Sequence, residues 1–590
     1  MSLAKWMVAS KKADFEAIST KYNIDKVLAR IIRNREIITD EEIELFLSDD
    51  MKYLHDPHML KDMDKAVGIL REKISQNKKI RVIGDYDVDG ICSTYILLKG
   101  LRTLGADVDT VIPHRIKDGY GLNDNLIEEA IADGVDTIVT CDNGIAASPQ
   151  IKLAKENGID VIITDHHEVP FDMVDGTKIY NLPDALAVVD PKQEDCPYPF
   201  KSICGGFVAY KLISVLLEDK YPHVMEELIS FATLATVCDV MELKDENRVL
   251  VKNGLKRMAK CSNYGLKALL IVNGLEDKKL TNYHVGFILG PCLNATGRLD
   301  TAKRALELFD APTFREAALI ASELKELNES RKKMTEDGVK EALEKIEELS
   351  MQDNRVLVIY LPDTHESLAG IIAGRVKEKF NRPTIVLTRA EDGIKGSGRS
   401  IEAYDMFEEL SKVKEMFTKF GGHKMAAGIS LDDENKIEEL KERLNHDCTL
   451  TDDNLVKKVH IDVPMPLSYI SNRFIKELDI LEPFGTGNPK PVFATKNISL
   501  ISYSKMGKNR NVGKFRVKDE FGREYEMIHF SDLDDFEEFV VNRFGTDKFE
   551  MLKNGRLKEG DVVISIVYYP EINEFRGNEN IQIIMNYYDV

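Results

Sequence analysis

The chain has 590 residues, 43% of them hydrophobic, which is enough apolar mass for several cores and three or four domains. Its formal net charge of −20 excludes a protein coated in basic surface, so any nucleic-acid track has to be local. No apolar run approaches the ~20 residues of a membrane span, residues 1–15 carry lysines without a signal-peptide core, and eight cysteines without a CxxC pair suggest neither a zinc ribbon nor a disulfide framework. A monomeric cytoplasmic protein is expected.

Residues 1–75 hold short amphipathic segments with no chemical signature and read as a helical cap on the domain that follows. From 76 to 303 the pattern alternates. Apolar runs at 80–84, 137–141 and 161–164 are strand candidates, and helix-like segments at 91–104, 122–132 and 149–157 separate them, which predicts a parallel sheet. Each run ends in acid. The first delivers Asp85, Asp87 and Asp89, the second Asp142, and the third Asp165-His166-His167; Asp239 follows later. In open sheets of this kind ligands bind at the carboxyl ends of the strands, so these groups should converge on one crevice. Carboxylates held that close repel one another unless cations neutralise them. Oxygen donors with one imidazole suit Mn²⁺ or Mg²⁺ better than a structural zinc.

Residues 304–350 are rich in Glu, Lys, Leu and Ala at helical spacing and read as one long connecting helix. Alternation resumes over 351–450 as a second, smaller α/β domain, with strands at 355–360 and 384–388 and a helix at 368–380. Strand-rich runs at 499–503, 512–517, 561–568 and 580–587 make 451–590 a small β-barrel. There the stretch from Ser504 to Lys518 contains no acid. Lys505, Lys508, Arg510, Lys514, Arg516 and Lys518 with the rings of Tyr503 and Phe515 read as a local DNA track with stacking faces.

These motifs carry a resemblance. Asp85-Tyr-Asp-Val-Asp-Gly90, Cys141-Asp-Asn-Gly144, Ile163-Thr-Asp-His-His167 and Val237-Cys-Asp-Val240 resemble the motifs of the DHH phosphoesterase superfamily, and Phe420-Gly-Gly-His-Lys-Met-Ala-Ala-Gly428 resembles the DHHA1 signature. Gly290-Pro-Cys-Leu-Asn-Ala-Thr-Gly-Arg-Leu299 and Glu482-Pro-Phe-Gly-Thr-Gly-Asn-Pro-Lys-Pro-Val-Phe493 narrow the match to the RecJ family, with motifs in the same order along the chain. Cys292 stands where that family's pattern has arginine.

The resemblance implies a parallel-sheet DHH domain, a long helix, an α/β DHHA1 domain and a C-terminal OB-fold barrel. It implies a two-metal, 5′→3′ exonuclease specific for single-stranded DNA, working in recombination and repair. Asp142 would bridge the ions, with Asp85 and Asp87 on one and Asp89, His166 and Asp239 on the other. Asp165 would orient the imidazole site, and His167 would donate a hydrogen bond at the scissile phosphate. Arg115, Asn294, Arg298, Ser397, Arg399 and His423 would contact substrate, the guanidinium groups favouring a 5′-terminal phosphate. No Walker phosphate loop occurs, so a separate helicase and a single-strand-binding protein would supply the substrate. The alternatives are a DHH enzyme for short oligonucleotides or cyclic dinucleotides, disfavoured by the extra barrel, and a non-catalytic DHH scaffold, disfavoured because every metal carboxylate is present.

Overall fold

In the computed structural model, which describes residues 4–114, 121–299, 301–390, 393–508, 510–530, 533–575 and 578–590, five short apolar strands form the expected parallel sheet. Val108–Val111, Ile80–Ile83, Thr137–Cys141, Asp160–Thr164 and Ala187–Val189 lie in that order. Thr137–Cys141 is buried throughout, as befits a parallel sheet covered on both faces. From Ile80–Ile83 the chain first crosses to Val108–Val111 on one side, then jumps to Thr137–Cys141 on the other. The direction of winding therefore reverses between the two strands that lead into Asp85 and Asp142, and a crevice opens at that point. The helices Val88–Thr103, Gly205–Leu217 and Pro222–Cys238 bury most of their surface against this sheet and one another.

The expected connector over 304–350 is two helices, Lys303–Phe309 and Phe314–Glu348. Pro312 lacks the amide that would carry the first into the second, and Thr313 caps the second by accepting from the Glu316 amide. Ala317, Ile320, Ala321 and Leu324 of the long helix belong to the core of the first domain, and Ala342 and Ile346 to that of the second. One helix thus ties both together. The second domain is a mixed sheet in the order Lys419–His423, Ala426–Leu431, Gly393–Arg399, Thr384–Ala390 and Leu357–Tyr360; only the last pair is parallel.

Asp49–Leu455 forms one compact unit and Met1–Ser48 with Val456–Val590 the other. Of the residues 1–75 read as a cap on the following domain, 49–75 pack with that domain and 1–48 belong to the barrel unit instead. Lys5–Val8 pairs in parallel with Lys458–Ile461, Leu28, Ile31, Ile32 and Phe46 share a core with Phe493 and Tyr568, and Arg35 forks onto Asp462 at 2.5 and 3.2 Å. Such long-range pairing leaves no mark in local periodicity. The barrel runs Phe493–Met506, Val512–Lys518, Glu524–His529, Asn578–Asp589 and Val563–Phe575, the last closing onto the first. Two helices, Leu533–Phe544 and Thr546–Lys553, cross between its third and fourth strands in chain order and were not anticipated. Among the described residues no helix is long and apolar enough to cross a membrane.

Candidate active site

The strand ends deliver their acids into one cluster. Ligand atoms of Asp85, Asp87 and Asp142 lie within 4.8 Å of one another, as do those of Asp89, His166 and Asp239, and those of Asp142, His166 and His167. His166 Nε2 lies 3.0 Å from Asp142, 3.5 Å from Asp89 and 3.8 Å from Asp239.

Local backbone explains how the acids are held. Asp87 caps the helix Val88–Thr103, accepting from the Gly90 amide at 3.0 Å. Asp89 accepts from the Gly205 and Gly206 amides at 2.8 and 2.6 Å, where the start of the helix Gly205–Leu217 presents donors with no partner inside the helix. A Cβ on Gly205 would lie 2.8 Å from that of Asp142, so only glycine allows this approach. Asp142 and Val240 have φ of 59° and 58°, a strained conformation for a non-glycine residue and most of all for a β-branched one.

The electrostatics show that these acids do not satisfy one another. Burial and then Asp87 push the Asp85 carboxyl up to about 7. Neither of its oxygens is hydrogen-bonded in normal geometry, although the Tyr86 and Gly121 amides pull in the opposite direction. Burial, followed by the charge of Asp89, raises Asp239 to about 8 and Asp142 well above the ordinary range. Burial also lowers His166, keeping it the neutral imidazole a cation needs. His167 differs. Burial pulls it down, but the Asp165 hydrogen bond at 2.7 Å and the Asp165 charge outweigh that and hold it up to about 9, a protonated donor. Asp165 also accepts from the Ile145 and His166 amides at 2.9 and 2.8 Å, so it orients His167 and the backbone and leaves the ring of His166 to the other acids. A buried group of acids that can ionise together only beside positive charge, with an orphaned carboxylate and one neutral imidazole, fits divalent cations with oxygen-preferring coordination.

A cavity of about 530 Å³ adjoins this cluster within the same unit. Tyr86, between Asp85 and Asp87, and Arg298 line it from the first domain; Ser397 and Arg399 line it from the second. Arg298 donates to the Ser367 carbonyl at 2.6 Å, and Arg399 donates to the Ser397 hydroxyl at 2.9 Å. Asn294 is half-buried on the same helix as Arg298 but does not line the cavity, and His423 is exposed outside it, its Nδ1 accepting from the Met425 amide. Arg115 lies outside the described residues. The sequence reading missed the Lys395–Glu366 pair, 3.0 Å apart in the cavity wall. It also missed Asp190, which follows the strand Ala187–Val189 and is pushed by burial and Asp165 to about 8. The signal was there, an acid directly after an apolar run. Cys292 is buried against Asn328 and Asn273 and does not line the cavity.

In the barrel two expectations fail. Tyr503 and Phe515 are 3% and 0% exposed, packed 5.0 Å apart and against Phe536, so they fill the core and offer no stacking face. Alternation set the face, and their side of the strand is the inner one. Lys505 pairs with Asp534 and Glu537 at 2.9 and 3.0 Å and Lys514 with Glu526 at 2.8 Å, while Arg516 donates to the Ser502 hydroxyl. Among the described residues, Lys508, Arg510 and Arg516 are the hairpin cations whose side chains form no ion pair, Arg516 being held by its hydrogen bond to Ser502.

Family models match the chain in three places: a DHH family N-terminal domain over residues 79–236, a DHHA1 domain over 353–449 and a RecJ OB domain over 461–587. A parallel DHH sheet with an acid–imidazole cluster at its strand ends, a DHHA1 sheet and an OB barrel define the class. The chain is 35% identical over 592 residues to the single-stranded-DNA-specific exonuclease RecJ of Bacillus subtilis (strain 168), covering 99% of this chain and 70% of that protein. It is 34% identical to the RecJ of Salmonella typhimurium over 98% of each. The crystal structure of RecJ in complex with Mn²⁺ from Thermus thermophilus matches with a TM-score of 0.80 at 26% identity, over 99% of this chain and 79% of that one. The chain belongs to the RecJ family.

Proposed function

We propose that this protein is a metal-dependent exonuclease that hydrolyses single-stranded DNA from its 5′ end and releases 5′-mononucleotides. The observation that carries the reading is Tyr86, which lines the nucleotide-sized cavity while its two neighbours, Asp85 and Asp87, belong to the metal cluster. A terminal nucleotide seated in the cavity has its phosphodiester beside the acids. Asp85 and Asp87 would hold one ion and Asp89, His166 and Asp239 the other, and Asp142, which meets the first group and contacts His166, is placed to serve both. Two divalent ions held there, Mn²⁺ or Mg²⁺, would supply a more acidic attacking water and charge neutralisation at the phosphoryl and leaving oxygens. Protonated His167, fixed by Asp165, donates to a phosphoryl oxygen. Arg298, Ser397 and Arg399 bind the 5′ end, and the guanidinium groups favour the extra charge of a terminal phosphate. The enzyme works in the cytoplasm as a monomer on strands opened by a separate helicase and held by a single-strand-binding protein; a chain without a Walker loop does not unwind them itself.

The RecJ proteins it resembles are described as specific for single-stranded DNA and one was crystallised with Mn²⁺, which supports both substrate and ion. The test is a time course with Mn²⁺ on long strands labelled at the 3′ end, carrying a 5′ phosphate or hydroxyl, beside a dinucleotide. Shortening from the 5′ end into mononucleotides, faster with the phosphate, is expected. Digestion from the 3′ end, or cleavage confined to the dinucleotide, overturns the reading.

A further inference from the structure

We propose that Tyr283 and Phe287 form a stacking platform for a base of the single strand beyond its terminal nucleotide. The proposal rests on the exonuclease reading and adds to it an aromatic subsite beside the metal cluster.

Thr281 starts the segment, its amide and hydroxyl both bonded to His284 Nδ1 at 3.0 and 2.9 Å. One helical turn, Asn282–His284, then passes into a π-turn, Val285–Leu289, which leads into the helix Gly290–Leu299 that carries Asn294 and Arg298. Val285 and Leu289 are fully buried and anchor the turn. Its glycines press it against the last turn of the helix Pro222–Cys238. A Cβ on Gly286 would lie 3.6 Å from Val237, and one on Gly290 only 2.5 Å from Cys238 Sγ. The next residue after Cys238 is Asp239, a member of the metal cluster. The π-turn is therefore braced on the element that delivers a metal-cluster acid, and interruptions of this kind occur frequently at functional sites.

On the outer side of this turn Tyr283 and Phe287 stack at 5.2 Å with planes 23° apart, and they are 61% and 68% exposed. Val240, next to Asp239, is 67% exposed. Two large rings held parallel and open to solvent bury little of their own apolar surface, which marks a contact site and not a core. The occupant is argued from position. The segment that carries the rings packs through Gly286 and Gly290 on the helix end that leads into Asp239, and it runs on into the helix bearing Arg298. Neither ring lines the cavity assigned to the terminal nucleotide, so what reaches them is the strand that trails from it. Nucleobases stack on such faces whatever their sequence.

Both side chains are exposed, so Tyr283→Ala and Phe287→Ala should fold as the parent does. Binding is measured in chelator, without cleavage, using 5′-phosphorylated strands with 2-aminopurine or an abasic site at successive positions; cleavage of the same strands is then followed with Mn²⁺. Each variant is expected to weaken binding about tenfold, the size of one lost base stack, to raise KM accordingly with kcat nearly unchanged, and to lose 2-aminopurine quenching at one position. An abasic site there should weaken wild type equally and the variants no further, and Phe287→Trp should restore affinity. Variants that bind base-containing and abasic strands as wild type does overturn the platform, as does a change in self-association with DNA binding unaltered, which would make the rings a protein contact. If wild type cleaves none of the strands, the exonuclease reading fails; if wild type cleaves and the variants match it in binding and KM, only the platform does.

Discussion

The acidic loops of the first domain and the basic hairpin of the barrel both stand out in the sequence by charge, and the fold treats them oppositely. In the hairpin, Lys505, Lys514 and Lys518 meet Asp534, Glu537, Glu526, Glu524 and Glu559 brought by other elements, and half of the expected cations are neutralised where they stand. In the loops, acid meets acid, and burial with mutual repulsion leaves Asp85 and Asp239 at about 7 and 8. A charge run whose opposite charges arrive from neighbouring elements is a folded surface. A like-charge cluster buried by its own fold requires something from outside.

The sharpest way to break this contrast is Asp142→Ala. Hydrolysis should fall below about a hundredth of wild type, since a shared ligand positions both ions, while strand affinity in chelator stays close to wild type. Persistent activity would remove the bridging role. His166→Ala should be nearly as damaging, with partial recovery in excess Mn²⁺.

Next in size is the barrel ring itself. Phe515→Ala should destabilise the barrel by about 3–5 kcal/mol, the cost of an aromatic cavity in a core, seen as a lowered denaturation midpoint. If stability were unchanged and strand binding fell instead, Phe515 would be a stacking residue after all.

Mn²⁺ should stabilise the acidic cluster and leave the hairpin indifferent. At a hundred times its Kd the ion should add about 2.7 kcal/mol to the unit that binds it, and the gain should shrink in Asp142→Ala. A thermal midpoint insensitive to Mn²⁺ would mean that the cluster is satisfied internally.

The smallest effect separates cations within the hairpin. Lys508→Ala with Arg510→Ala should flatten the log–log salt dependence of long-strand binding by roughly 0.7 per lost phosphate contact. Lys505→Ala with Lys514→Ala should leave the slope nearly unaltered, because those cations already have acids. Equal slopes for both pairs would erase the distinction drawn from the ion pairs.

The parallel sheet and the acids at its strand ends were legible because an apolar run followed by Asp is a local pattern, and in a parallel sheet every such end points to the same edge. Asp190 obeys that rule as well and was missed although the apolar run 185–189 before it is as long as the runs that were read; only its last three residues form the strand. The second sheet was legible in part, its hairpins less so, and the strand Glu524–His529 was hidden because its polar residues dilute the alternation. By itself, then, the sequence determined the domain order, the catalytic sheet and the acids that meet at its edge. Only the tertiary structure decided which face of the strand Phe493–Met506 turns inward, taking Tyr503 from the surface into the core, and which carboxylates arrive opposite the hairpin lysines. It alone joined the N-terminal helices to the barrel, and it alone stacked Tyr283 on Phe287 on a turn packed against the helix end that leads into Asp239. Those outcomes depend on pairings between residues far apart in the chain, whose energies local spacing does not encode.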